Sequence, residues 1–224
     1  MKLITEQTAE EGKEHIQKYL TQGEQQTVEF KQRLNQPEKI AKTICSLANT
    51  AGGTLLIGIR DDKTISGVDP EQEKFILEEA LRFYCDPPIP ITLTQVFVAA
   101  DDHPFEEVTV LVVEVDESNQ KPHRAKRKKG EWKAYIRHQD KTMIAGSKTE
   151  KLLETDDIPN SSKKLSKNQQ KLINYLQKHE RITQKEFAGL VNISERRARR
   201  ELIDALEQGA VRVLELEKED YYIL

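Results

Sequence analysis

The chain has 224 residues, 37% hydrophobic and 33% charged, with a mean hydropathy of −0.69, which allows one or two domains whose helices keep solvated faces. A net charge of −3 and a pI near 6.0 exclude a uniformly basic nucleic-acid binder, so any such role rests on local basic patches. The N-terminus has no apolar h-region and no run of about 18 apolar residues occurs, which predicts a soluble cytoplasmic protein with no membrane span.

Residues 8–20 predict a short charged helix, with Thr8 and Glu11 at capping-box spacing and Gly23 ending it. Val28-Glu29-Phe30-Lys31 alternates apolar with charged, as a half-buried strand does. Cys45 and Cys85 lie in apolar stretches and read as buried thiols, not a disulfide framework. After Pro37, Ile40, Ile44 and Leu47 form an apolar stripe at helical spacing, joined by Ala41 and Ala48. Gly52-Gly53 stops that helix, and residues 54–59 form a nearly continuous apolar run suited to a central strand buried on both faces. A second amphipathic helix is expected over 71–84, with a break at Asp86-Pro87-Pro88-Ile89-Pro90. Extended segments follow over 91–99 and 107–115, and a basic stretch leads into a strand at 134–137. Residues 151–165 are polar, include Pro159 and Ser161-Ser162, and read as a linker between domains at 1–150 and 166–224.

The C-terminal segment predicts helices over 166–179, 183–191 and 194–208, then strands 211–216 and 221–224. Phe187, Ala188, Leu190 and Val191 give one apolar face, Asn192-Ile193 the turn, and Ser194 an N-cap for a helix seated by Ala198, Leu202, Ile203 and Leu206. Arg196, Arg197, Arg199 and Arg200 fill the first turns of that helix, where side chains would enter a major groove. The alternative is a solvated helix whose arginines pair with Glu195 and Glu201. The unit resembles a winged helix, whose wing tip would be Glu217-Lys218-Glu219-Asp220.

Glu24, the Glu29-Phe30-Lys31 strand, the Asn49-Thr50-Ala51-Gly52-Gly53 turn, Gly58-Ile59-Arg60-Asp61, Pro122-His123 and Tyr135-Ile136-Arg137 occur in an order that resembles the Schlafen-type AlbA domain over residues 15–150. The resemblance implies a DNA-binding domain of bacterial regulators that commonly precedes a winged helix. Gln139 stands where family members often carry glycine, so a ligand contact from that loop does not carry over. Asn49, Gly52, Gly53 and Gly58 read as the structural motif, with the double glycine reversing the chain and Asn49 bonding backbone near the cap. No GxxxxGK[ST] occurs, so a P-loop is excluded.

Three acids form the catalytic core of nucleolytic Schlafen proteins, and the resemblance maps them onto Glu24, Glu29 and Asp61, with Lys31 as an accessory to phosphate. Such carboxylates would hold Mg²⁺ or Mn²⁺. The alternative is an exposed ion pair between Glu29 and Lys31 and a turn at Asp61-Asp62. His123 reads as structural because no second histidine sits at ligand spacing. Downstream, Lys121, Arg124, Lys126, Arg127, Lys128, Lys129, Lys133 and Arg137 crowd a segment interleaved with Trp132 and Tyr135. That composition suits a phosphate backbone, or else is a solvated basic loop.

The expected fold class is therefore α+β, a mixed-sheet domain followed by a small winged helix. The expected function is a homodimeric regulator binding DNA, with RNA as a second candidate partner, no cofactor and no membrane. The alternatives are a metal-dependent endoribonuclease and a protein-interaction adaptor.

Overall fold

A computed structural model describes residues 2–7, 9–102, 106–128, 130–154, 165–215 and 220–224. It divides the chain into two units, Met1–Thr142 and Met143–Leu224.

In the first unit the elements run β1 (Lys2–Gln7), α1 (Ala9–Gln22), β2 (Val28–Lys31), α2 (Pro37–Ala48), β3 (Gly53–Ile57), α3 (Pro70–Phe83), β4 (Cys85–Asp86), β5 (Thr92–Ala99), β6 (Glu107–Val115), β7 (Arg124–Lys126) and β8 (Trp132–His138). A further strand, β9 (Lys141–Ile144), spans the division. Five strands form a mixed sheet in the order β1-β5-β6-β3-β2. The outer pairs, β1 with β5 and β3 with β2, are parallel, whereas β6 runs antiparallel to both β5 and β3.

The continuous apolar run in β3 follows from this central place. Leu55 and Ile57 join Leu111 and Val113 against Ile44, Leu47 and Leu77 on one face. Leu56 joins Phe30, Val110 and Val112 against Ile16 and Tyr19 on the other. Period-two alternation thus feeds two cores, each fully buried aliphatic side chain contributing about 1.5–3 kcal/mol.

Helix α2 departs from the one-sided stripe expected of it. Residues Thr43, Ile44, Cys45, Ser46, Leu47 and Ala48 are all buried, because a second sheet, ordered β4-β7-β8-β9, packs on its far side through Ala125 and Tyr135. Small residues let the helix fit there, and its polar ones are satisfied internally. Ser46 Oγ donates to the Thr43 carbonyl at 2.7 Å. Cys45 Sγ lies 3.7 Å from Cys85 Sγ. Both thiols are free, and that contact together with burial pushes the Cys45 thiol well above its ordinary range.

The second unit contains α4 (Ser147–Glu154), α5 (Lys167–Leu176), β10 (Ile182–Thr183), α6 (Gln184–Val191), α7 (Glu195–Glu207), β11 (Arg212–Glu215) and β12 (Asp220–Ile223). Capping boxes at Ser166/Gln169 and Thr183/Glu186 start α5 and α6. Helix α6 ends at Asn192, whose φ of 54° is left-handed, and Ser194 Oγ accepts the Arg197 N–H to start α7. Leu172, Phe187, Ala198, Leu202, Val213 and Tyr222 form the core beneath the antiparallel sheet β10-β12-β11.

Residues 151–154, placed in a linker by composition, instead finish α4. That helix is tied to β11 by Thr149, whose hydroxyl donates to the Val213 carbonyl at 3.0 Å and accepts its N–H at 3.1 Å. Residues 155–164, Thr8 and Glu217 to Glu219 of the expected wing tip lie outside the described residues. Strand β1 and helix α4 have no counterpart in the sequence reading. No described helix is long and apolar enough to cross a membrane.

Candidate nucleic-acid interface

Strand β2 is one edge of the five-stranded sheet, and Glu24, Glu29 and Lys31, three of the four residues read as catalytic, lie in or beside it. The Thr27 and Lys31 carbonyls face inward, accepting the N–H groups of Thr54 and Gly58 at 2.8 Å each. Val28 and Phe30 therefore turn their backbone groups to the open side. All four of those groups are taken. Glu24 Oε1 accepts the Phe30 N–H at 2.9 Å. Lys31 Nζ donates to the Phe30 carbonyl at 2.9 Å. The Val28 N–H donates to Gln25 at 3.3 Å, and Arg137 Nη2 donates to the Val28 carbonyl at 3.3 Å. An edge blocked in this way does not template another strand.

Glu29 holds the arrangement together from within. Its Oε2 lies 2.5 Å from Arg137 Nη2 and its Oε1 2.5 Å from Lys31 Nζ. Glu29 is 8% exposed and Arg137 only 1%. Arg137 also donates to the Gln25 carbonyl at 3.1 Å and to Thr142 Oγ1 at 3.4 Å, while its buried Nε has no partner among the described residues.

Two expectations change as a result. Arg137, grouped with the phosphate-binding cations, is an interior residue clamping β2 to β8. Glu24, Glu29 and Asp61 do not assemble as metal ligands. Glu24 and Glu29 are engaged as described, and Asp61 lies exposed in the turn that the Arg60 N–H closes on the Thr64 carbonyl at 3.0 Å. Among the described residues, no group of three His, Cys, Asp or Glu side chains is placed to hold a metal ion.

The turn after α2 is a second clamp. Asn49 does more than cap α2 locally, for its amide reaches the other sheet. Its Nδ2 donates to the carbonyls of His123 at 2.7 Å and Tyr135 at 2.8 Å, and its Oδ1 accepts the His123 N–H at 2.7 Å. Thr50 Oγ1 accepts the Arg137 N–H at 2.9 Å. Gly52, at φ 68°, then reverses the chain where any Cβ would lie 2.7 Å from the Val115 carbonyl oxygen. A Cβ on Gly53 would meet the Thr27 carbonyl oxygen at 2.6 Å. Gly58 accepts the Ser66 N–H at 2.9 Å, bending the chain after β3.

His123 is buried between two partners, as its structural reading expected. Its Nδ1 is 2.8 Å from the Pro87 carbonyl, which can only accept, so Nδ1 carries the proton and Nε2 accepts from Ser118 Oγ at 2.7 Å. Burial pushes the imidazole below its ordinary value of 6.5. A depressed folded value favours the neutral ring, so its contribution is present above the unfolded pKa and lost as pH falls through the folded one. Thermal unfolding from pH 8 to 5 should show stability falling below pH about 6.5, and His123→Gln should flatten that fall.

The exposed cations lie elsewhere. The β7–β8 hairpin pairs Lys126 with Trp132, and Lys126 Nζ sits 5.8 Å from the indole centroid. Arg127, Lys128 and Lys133 are exposed, Arg124 and Lys126 are half-buried, and Lys129 lies outside the described residues. In the second unit, Arg196, Arg197, Arg199 and Arg200 are all exposed on α7, and none is ion-paired with a described residue. The pairing with Glu201 that sequence spacing allows does not form. That carboxylate instead accepts Ser166 Oγ at 2.6 Å and Asn168 Nδ2 at 3.3 Å.

The family model described as Schlafen, AlbA_2 matches residues 24–146, more than half of the chain. The chain belongs to this family. The AlbA_2 span opens on Glu24, which caps the β2 edge, and includes Asn49, His123, Tyr135 and Arg137, so both clamps lie wholly within it. Nucleic-acid association is general in the family. No curated protein matches the chain. Among solved structures, the DIP2311 protein from Corynebacterium diphtheriae is similar over 60% of this chain, with 17% identity and a TM-score of 0.38. The chain spans only 25% of that structure's length.

One signal for these clamps was present in the sequence. A charged Arg137 directly after Ala134-Tyr135-Ile136 in a strand suggests a buried ion pair, since arginine is rarely interior unless paired. The Asn49 clamp joins residues 74 and 86 positions away, and no local pattern signals it.

Proposed function

We propose that this protein binds DNA as a transcriptional regulator, with the second unit serving as a winged helix whose α7 lies in the major groove. The observation that carries this reading is the set of four exposed arginines on α7 with no carboxylate partner among the described residues. Arginine there pairs with guanine or clamps phosphate. The turn Asn192-Ile193-Ser194 and the capped start of α7 support that docking. The AlbA_2 domain adds sequence-tolerant phosphate contacts through Arg124, Lys126, Arg127, Lys128, Lys129 and Lys133. A two-fold dimer would match paired half-sites.

Fluorescence anisotropy with labelled genomic duplex fragments at rising salt tests the reading. Affinity should fall linearly on logarithmic axes, with a slope of about −0.9 for each phosphate contacted. Binding indifferent to salt, or no binding at low salt, would overturn it. The adaptor alternative would then gain ground.

A further inference from the structure

Two lysines on the polar side of α2 gain a role from the hairpin folded beside them. Lys39 and Lys42, with Glu38, form one wall of a cleft of about 570 Å³, and Arg127, Lys128 and Glu131 form the other. Glu131 is already held by Arg127 at 3.4 Å, so Lys39, Lys42 and Lys128 face Glu38 alone. Both walls are fixed. Helix α2 is locked in the core, and Ala125 and Tyr135 of the hairpin strands pack against it. Lys42 Nζ is further held 5.9 Å from the Tyr135 ring centroid. Cations gathered with too few carboxylates repel one another, and an anion in the cleft relieves that repulsion.

We propose that this cleft takes the phosphodiester backbone of a single nucleic-acid strand. Lys39 and Lys42 grip it from the helix side and Arg127 and Lys128 from the hairpin side. The volume falls within the roughly 300–1,000 Å³ of clefts for small ligands, which suits a nucleotide or two. A duplex holds its phosphates on the outside of a stiff rod, whereas a single strand can bend its backbone into a cleft of this volume. The proposal rests on the nucleic-acid reading above and adds the state of the strand and the residues that grip it.

The test uses the full chain with a labelled oligothymidylate of about twelve residues and a labelled duplex of the same length, both read by anisotropy. Lys39→Glu should weaken single-strand binding at least about tenfold and leave duplex affinity within about twofold. Lys42→Gln, which keeps most of the stem over Tyr135, should weaken single-strand binding and lower its salt slope by about 0.7. The variant lacking the four α7 arginines should do the opposite, losing the duplex and keeping the single strand. Oligothymidylate bound equally well by wild type, Lys39→Glu and Lys42→Gln overturns the cleft while leaving DNA binding intact. Wild type that binds neither probe overturns the nucleic-acid reading itself. Full displacement of the strand by millimolar inorganic phosphate would also overturn the proposal, since the cleft would then take a lone anion.

Discussion

Replacing Arg196, Arg197, Arg199 and Arg200 together by alanine is expected to lower duplex affinity at least about a hundredfold. Two arginine contacts at about 1–3 kcal/mol each already give that loss. The salt slope should fall by about 1 for each phosphate contact removed. The fold should survive, because all four side chains are exposed and alanine is the better helix former. Anisotropy with circular dichroism on the same samples measures both. A variant that binds duplex as tightly as wild type would remove α7 from the interface and leave the hairpin to carry DNA binding alone.

The second large effect concerns stability. Arg137→Met leaves the buried Glu29 carboxylate with Lys31 as its remaining partner, and should cost about 3–5 kcal/mol, as breaking a buried ion pair does. Glu29→Gln should also destabilise, since it weakens the bonds to both Arg137 and Lys31. The double variant should cost clearly less than the two singles added together, because the groups contact each other directly. Urea unfolding of the four proteins closes the cycle. Strict additivity would mean that the pair is not a unit. The result bears on function as well. A carboxylate kept for a metal would be replaceable at little cost to stability, whereas one that fixes the edge of a sheet would not.

The parts of the fold visible in the sequence were those with short-range causes. Apolar runs located β3 and β6, the Ser194 cap located the start of α7, and the double glycine marked the reversal into β3. The long-range partners were not visible. Glu29 and Lys31 look like an exposed i, i+2 pair until a residue 108 positions away supplies the third member. Arg137 sits at the end of a basic run and shares its composition, yet it lies in a strand covered on both faces. Charge alone could not separate it from Lys133, which is exposed four residues earlier. The same limit hid Lys39 and Lys42, unremarkable on the polar side of a helix until Arg127 and Lys128 face them.

One division of labour follows. Glu24, Glu29 and Asn49 tie the AlbA_2 domain together, and on the proposed function the exposed cations meet the ligand. Incubating the full chain with end-labelled DNA and RNA in Mg²⁺ or Mn²⁺, while recording both anisotropy and the length of the recovered probe, tests this most directly. The expected result is salt-sensitive binding with the probe recovered at full length. Metal-dependent shortening of the probe that disappears in Glu24→Gln would contradict the account and return those acids to catalysis.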